Sequence, residues 1–196
     1  CARLASKNEA GAPRPFMVID DGWNKNGTPE YNGGPFVPND DFADMREVAR
    51  QIREIGCEPG IWVRPLLVLP ELCPEIDEDS YSMQPDGPQH GRFLDPTTPG
   101  AQNYIRKLIR DLAADGYRLI KHDFTCPDLM GPDFLKPNLT RPGWHWHDEG
   151  KTNAQVCKEL YTPLRSLFSY FLRKRRHPRA LPRGSRGATA KRLYRR

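Results

Sequence analysis

The stretch from Arg118 to Asp128, RLIKHDFTCPD, decides how the rest of the chain is interpreted. It begins with a short apolar run, as in a buried parallel strand, and then presents Lys121, His122 and Asp123. Alternation along a strand predicts Lys121 and Asp123 on one face and His122 on the other. A lysine beside a carboxylate keeps that carboxylate ionised, which suits a nucleophile or an electrostatic stabiliser and not a general acid. Taken alone, the same residues are also compatible with a structural ion pair at a strand end.

Composition limits the class of protein. The 196 residues are enough for one domain with a hydrophobic core, and no apolar run reaches the roughly 18 residues of a membrane span. The N-terminus lacks an apolar signal-peptide core, which favours the cytoplasm, and it lacks an initiator Met, which suggests truncation. Five scattered cysteines without a CxxC pair predict reduced thiols. No cofactor and no metal site are predicted.

The net charge of +5 comes from the C-terminal tail. Eleven of the 30 Lys and Arg residues lie from Arg173 onward with no acid among them, so residues 1–172 hold 19 bases against 25 acids. The tail has no aromatic interleaving and no binding motif, and neither nucleic acid nor a membrane is predicted as a partner. We expect residues 173–196 to be disordered or to result from a shifted reading frame.

Strand and helix signals alternate along residues 1–172. Four short strands are predicted at residues 16–19, 59–65, 92–95 and 118–121. Helices are predicted from Asp40 or Asp41 to Ile55, from Pro99 to Ala114 with Thr97 or Thr98 as cap, and from Thr152 or Asn153 to Phe171. Residues 70–91 are acidic and rich in proline, which predicts an excursion over the surface. This order is typical of a (β/α) barrel or a doubly wound sheet. Because polar residues follow four successive strands, we predict an α/β fold, a partial (β/α)8 TIM barrel of about four βα units.

Polar residues follow each predicted strand and carry a family resemblance. The segments are Ile19-Asp20-Asp21-Gly22-Trp23, Gly60-Ile61-Trp62, Leu94-Asp95-Pro96-Thr97 and Ile120-Lys121-His122-Asp123. In this order and spacing they resemble the retaining α-galactosidases, and most closely glycoside hydrolase family 36, whose members include melibiase-like enzymes and raffinose synthases. The resemblance implies that residues 1–172 are the N-terminal half of a catalytic barrel.

The resemblance also implies residue roles. Asp123 corresponds to the nucleophile of a retaining mechanism, and Lys121 would bind a sugar hydroxyl and keep Asp123 charged. Asp20 and Asp21 would accept hydrogen bonds from sugar hydroxyls. Trp23 and Trp62 would form the walls of the sugar subsite, with a carbohydrate as the partner.

The chain departs from the family pattern in two respects. The second strand of the family ends in Trp-Phe-Glu-Pro-Glu, whereas this chain reads Trp62-Val63-Arg64-Pro65-Leu66, which puts Arg64 at the predicted substrate site. The acid/base of the family follows a sixth strand, which this sequence does not contain, so we expect the chain to be catalytically incomplete. The alternatives are α-galactosyl transfer of the raffinose-synthase kind and an inactive carbohydrate-binding fragment.

Overall fold

A computed structural model describes residues 13–28, 30–83, 90–130 and 145–162. Its elements follow in the order β1 (Phe16–Ile19), α1 (Met45–Glu54), β2 (Glu58–Val63), β3 (Leu67–Val68), β4 (Arg92–Phe93), α2 (Pro99–Asp115), β5 (Leu119–His122), α3 (Thr125–Met130) and α4 (residues 153–162). Short 3-10 turns lie at Asp40–Phe42, Pro70–Leu72 and Glu78–Ser80. Within these ranges, no helix combines the length and the apolar character needed to cross a membrane.

The fold is built on a parallel sheet in the order β1-β2-β5. Ile19 lies opposite Ile61, which in turn lies opposite Ile120, so the three strands are in register at their carboxyl ends. Helices α1 and α2 are the crossovers between neighbouring strands, as parallel pairing requires. The structure is therefore α/β and compatible with part of a (β/α)8 barrel.

Helix α1 begins later than its sequence predicts. The prediction of Asp40 or Asp41 as the cap is wrong, because Asn39 accepts a hydrogen bond from the Asp41 backbone and closes a separate 3-10 turn. The cap is Asp44, whose carboxylate accepts from the backbone N–H groups of Arg46 and Glu47. All four side chains are good cap acceptors, so local sequence does not distinguish them.

The boundaries of helix α2 confirm the prediction closely. Thr98 caps its N-terminus by accepting from the Ala101 backbone, and Gly116 ends it in the left-handed region at φ 116°. Its apolar face packs toward the sheet, with Ile105, Ile109 and Leu112 buried. The glycine cap reverses the chain directly into β5.

The third predicted barrel strand is not in the parallel sheet. Strand β4 instead pairs antiparallel with β3, with Leu67 opposite Phe93. The parallel sheet thus passes from β2 directly to β5, and it has three described strands instead of four. The described part of the predicted surface excursion, residues 70–83, is also not a simple excursion, because Cys73, Ile76 and Tyr81 are buried in the core.

The two faces of the parallel sheet have different surroundings. Ile61 and Val63 face the helices and pack in one cluster with Met45, Leu112 and Tyr117. The alternate residues of the sheet form the opposite face: Val18, Gly60, Trp62, Leu119 and Lys121. The polar residues that follow the strands lie at the carboxyl end of this opposite face.

Helix α4 starts where the sequence predicts, since Thr152 accepts a hydrogen bond from the Gln155 backbone and the helix begins at residue 153. Val156 and Leu160 are buried against the core formed by α2 and α3. The predicted continuation to Phe171 and the basic tail at 173–196 lie outside the described residues. The domain boundary at residue 172 therefore stays a prediction.

Candidate active site at the carboxyl edge of the sheet

Three strands deliver polar side chains to one edge of the sheet. Asp20 and Asp21 follow β1, Arg64 follows β2, and Asp123 follows β5. Because the strands are parallel and in register, their carboxyl ends meet at this edge. At this edge, side chains that are far apart in the sequence come into contact.

Lys121 bridges two carboxylates. Its Nζ lies 3.0 and 3.2 Å from the two carboxylate oxygens of Asp20 and 3.4 Å from Oδ2 of Asp123. The hydrogen bond to Asp20 is the main reason that the pKa of Lys121 is raised, and Asp123 adds to it. The ammonium therefore stays charged and ties the end of β1 to the end of β5.

Asp123 is held as a carboxylate. Its Oδ2 accepts from Trp62 Nε1 at 2.9 Å, and its Oδ1 accepts from the Phe124 backbone N–H at 2.9 Å. The Trp62 hydrogen bond is the largest cause that lowers the pKa of Asp123, and Lys121 lowers it further. With its side chain 40% exposed, the group is both ionised and accessible to a ligand.

The two tryptophans are core residues with about 1% exposure each, and they do not offer open ring faces. Trp23 stacks on Phe36 at 5.8 Å between ring centroids, and its Nε1 donates to the Trp62 carbonyl at 2.9 Å. Trp23 therefore offers no open ring face in this structure, and the wall of a sugar subsite that its sequence position suggests stays a prediction. Trp62 also presents no open ring face, and it takes part in the site through the hydrogen bond from its indole N–H to Asp123.

Arg64, predicted to bind substrate, is directed into the protein. Its guanidinium pairs with Asp128 through contacts of 2.9 Å (Nε to Oδ2) and 2.6 Å (Nη2 to Oδ1). The Arg64 side chain is 15% exposed and that of Asp128 is 0% exposed. Burial raises the pKa of Asp128 to about 6, although the guanidinium opposes this. Arg64 is thus held by an internal ion pair, which suits a positioning role, and its contact with substrate stays a prediction.

A hydrogen-bonded chain connects this ion pair to Asp21. Arg64 Nη1 donates to Asn32 Oδ1 at 2.8 Å, and Asn32 Nδ2 donates to Asp21 Oδ2 at 2.9 Å. Asp21 Oδ1 accepts from the Gly22 backbone. Asn32 therefore orients the carboxylate of Asp21. Asn32 is itself held by Arg64, which pairs with Asp128 on α3.

Three residues of this site were missed by sequence reasoning: Asn32, Phe124 and Asp128. Asn32 lies in a loop rich in Gly and Asn, where nothing marks it out. Asp128 had a signal, because it is an acid shortly after Asp123 at the start of a short helix. Phe124 also directly follows Asp123, but its side-chain exposure could not be read from the sequence.

His122 faces away from this edge, as the alternation predicts. Burial lowers its pKa to about 4, so the imidazole is neutral at physiological pH. Its ring centroid lies 6.0 Å from that of Tyr161 on α4. His122 belongs to the packing between β5 and α4.

Known structures share this fold. TtGalA, an α-galactosidase from Thermus thermophilus, aligns with a TM-score of 0.56 at 21% identity, over 85% of this chain and 31% of its own. The family 36 α-galactosidase AgaB from Geobacillus stearothermophilus gives 0.54 at 19%, over 81% and 22%. An α-galactosidase from Lactobacillus brevis gives 0.50 at 18%, over 83% and 21%.

The protein therefore spans between about a fifth and a third of the length of these relatives. No protein-family model matches the sequence, and no curated protein matches it significantly. At these identities the likeness shows a shared fold. It confirms, for part of the chain, the fold that the resemblance to glycoside hydrolase family 36 predicts.

Proposed function

We propose that this chain belongs to a retaining glycoside hydrolase that acts on α-galactosides, with Asp123 as the nucleophile. The observation that carries the proposal is the carboxylate of Asp123, which is ionised by Trp62 and Lys121 and remains 40% exposed at the carboxyl edge of the sheet. A retaining enzyme needs such a group, because the free carboxylate must attack the anomeric carbon. The shared fold with α-galactosidases supports the choice of substrate class.

The two oxygens of Asp123 are not equivalent. Oδ2 lies near both Trp62 Nε1 and Lys121 Nζ, whereas Oδ1 accepts from the Phe124 backbone N–H. Oδ1 is therefore the better candidate for attack. The new bond from this oxygen to the anomeric carbon replaces the glycosidic bond, and water later hydrolyses the glycosyl ester.

Asp20, Asp21 and Lys121 are proposed to bind the hydroxyl groups of the sugar. Asp20 and Lys121 are exposed and form an ion pair, and Asp21 is oriented by a hydrogen bond from Asn32. Carboxylates accept hydrogen bonds from two neighbouring hydroxyls, which fixes the sugar orientation.

The acid/base is assigned to no described residue. Retaining chemistry needs a second carboxyl about 5–5.5 Å from the nucleophile. Asp128 has the raised pKa that an acid requires, but its side chain is fully buried against Arg64 and cannot reach a leaving group.

The test uses the full chain and p-nitrophenyl α-D-galactopyranoside. p-Nitrophenolate leaves without protonation, so its release reports the nucleophile independently of the acid. We expect the Asp123→Asn variant to lose release by about 1,000-fold or more, because an amide cannot attack. Asp111→Asn, a change in an exposed carboxylate on α2, is the matched control and should leave the rate unchanged.

Each result has a distinct meaning. Equal rates in the wild type and in Asp123→Asn would contradict the nucleophile assignment. A galactosylated acceptor among the products would favour the transferase alternative. Binding of galactosides without release of p-nitrophenolate would favour a carbohydrate-binding role.

A further inference from the structure

One aromatic ring at the candidate site is open to solvent. Phe124, directly after Asp123, is 41% exposed, whereas Trp23 and Trp62 are buried. The Phe124 ring meets the Trp62 ring edge-on, with centroids 6.5 Å apart and an interplanar angle of 82°. Since Trp62 also holds the carboxylate of Asp123, the exposed ring and the carboxylate share one support.

One face of the Phe124 ring packs against the side chain of Arg64. The Arg64 guanidinium carbon lies 4.4 Å from the ring centroid and covers one face. Arg64 is itself fixed by the buried Asp128. The exposed part of Phe124 therefore lies away from the face that Arg64 covers.

The backbone at Phe124 is unfavourable for a phenylalanine. Its φ of 54° lies in the left-handed region, and no other non-glycine residue of the described ranges has a positive φ. Hydrogen bonds on both sides hold this conformation: its N–H donates to Asp123, and its carbonyl accepts from the Asp128 backbone at 2.9 Å. Local folding alone would favour Gly or Asn here, and strain of this kind concentrates at functional sites.

We propose that Phe124 is the aromatic platform on which the apolar face of a pyranose ring stacks beside Asp123. The inference rests on the proposed function, and it gives the stacking role predicted for the two tryptophans to a different residue. A sugar presents C–H groups on one face of its ring, and a flat aromatic surface next to the reacting carbon would bind that face and align the anomeric carbon. The substrate class is then a neutral pyranoside whose C–H face is free.

The experiment measures the dissociation constant of methyl α-D-galactopyranoside by NMR titration of the full chain. We expect Phe124→Ala and Phe124→Leu each to weaken binding about threefold to tenfold, as the loss of one aromatic contact predicts. Phe124→Trp keeps a platform and should bind within about twofold of the wild type. Leu is the decisive variant, because it preserves apolar bulk without a flat face.

A Phe124→Gly variant separates binding from folding. Glycine adopts the left-handed conformation without strain, so this variant should melt at a higher temperature than Phe124→Ala and still show the same loss of binding. If the Ala and Leu variants do not fold, the Gly variant supplies the same comparison.

Two failures are distinguishable. If the wild type binds the galactoside and the Leu and Gly variants bind it equally well, the platform is refuted and the proposed function is not. If the wild type binds no methyl α-D-galactopyranoside, the proposed function fails and the platform fails with it.

Discussion

Replacing Arg64 with leucine should destabilise the protein in a strongly pH-dependent manner. The change removes the cation that faces Asp128, whose side chain is 0% exposed. Removing one partner of a buried ion pair costs about 3–5 kcal/mol, because the other charge is left in an apolar environment. This is a large part of the roughly 5–15 kcal/mol that stabilises a typical domain.

The sign of the pH dependence follows from the pKa of Asp128. Burial already raises it from 3.8 to about 6, so the folded state holds this proton more tightly than the unfolded state. The stability from this group is fully present below about pH 4 and is lost as the pH rises through 6. Without Arg64 the pKa of Asp128 rises further. The penalty of Arg64→Leu should therefore be greatest at pH 8 and less than half as large at pH 5.

The assay is urea unfolding followed by circular dichroism at both pH values. A double variant, Arg64→Leu with Asp128→Leu, should recover most of the loss at pH 8, since it leaves no buried charge. Lys107→Leu breaks an exposed ion pair with Asp111 on α2 and should leave the free energy of unfolding almost unchanged. An equal loss at pH 5 and pH 8, or a loss no larger than that of Lys107→Leu, would contradict the role assigned to the buried pair of Arg64 and Asp128.

Two further predictions concern hydrogen bonds to carboxylates. Trp62→Phe deletes the N–H that donates to Asp123, so the pKa of Asp123 should rise and the acid limb of kcat/KM for p-nitrophenyl α-D-galactopyranoside should move to higher pH. Asp95→Ala removes a fully buried acceptor of the Thr97 N–H, the Thr97 hydroxyl and the His147 N–H, and should lower the free energy of unfolding by about 3 kcal/mol.

Matched variants control for general damage. Trp23→Phe also deletes an indole N–H, but its acceptor is the Trp62 carbonyl, so the acid limb should not move. An unshifted limb in Trp62→Phe would contradict the role of that hydrogen bond. Asp77→Ala removes an exposed carboxylate that makes no capping hydrogen bond. If it lowered the free energy of unfolding as much as Asp95→Ala does, the importance of burial would be contradicted.

Local sequence could predict those elements of the fold whose sequence signals allow only one interpretation. The strands β1, β2 and β5 stand out as short apolar runs, and α2 has a cap signal at each end, Thr97 or Thr98 at its start and Gly116 after its last residue. Strand ends in a parallel sheet must share an edge, so the grouping of Asp20, Lys121 and Asp123 could also be predicted.

The parts that local sequence could not predict depend on tertiary partners. Strand β4 looks like a barrel strand, but its two residues pair with Leu67–Val68, which the sequence does not distinguish from a loop. The ion pair of Arg64 could not be predicted, because its partner Asp128 lies 64 positions away. An indole such as that of Trp23 can either stack on a sugar or pack in a hydrophobic core. Its stacking on Phe36, which places it in the core, could not be predicted from local sequence.

The bridging position of Lys121 has a consequence for the net charge of this edge and for the ligands that it admits. The Arg64–Asp128 pair cancels its own charge. Among the residues that the structure describes, the other charged groups brought together at this edge are three carboxylates and one ammonium, from Asp20, Asp21, Asp123 and Lys121. These four groups carry a net formal charge of −2, so we expect a sugar phosphate or a uronic acid to be repelled on approach and an uncharged glycoside not to be.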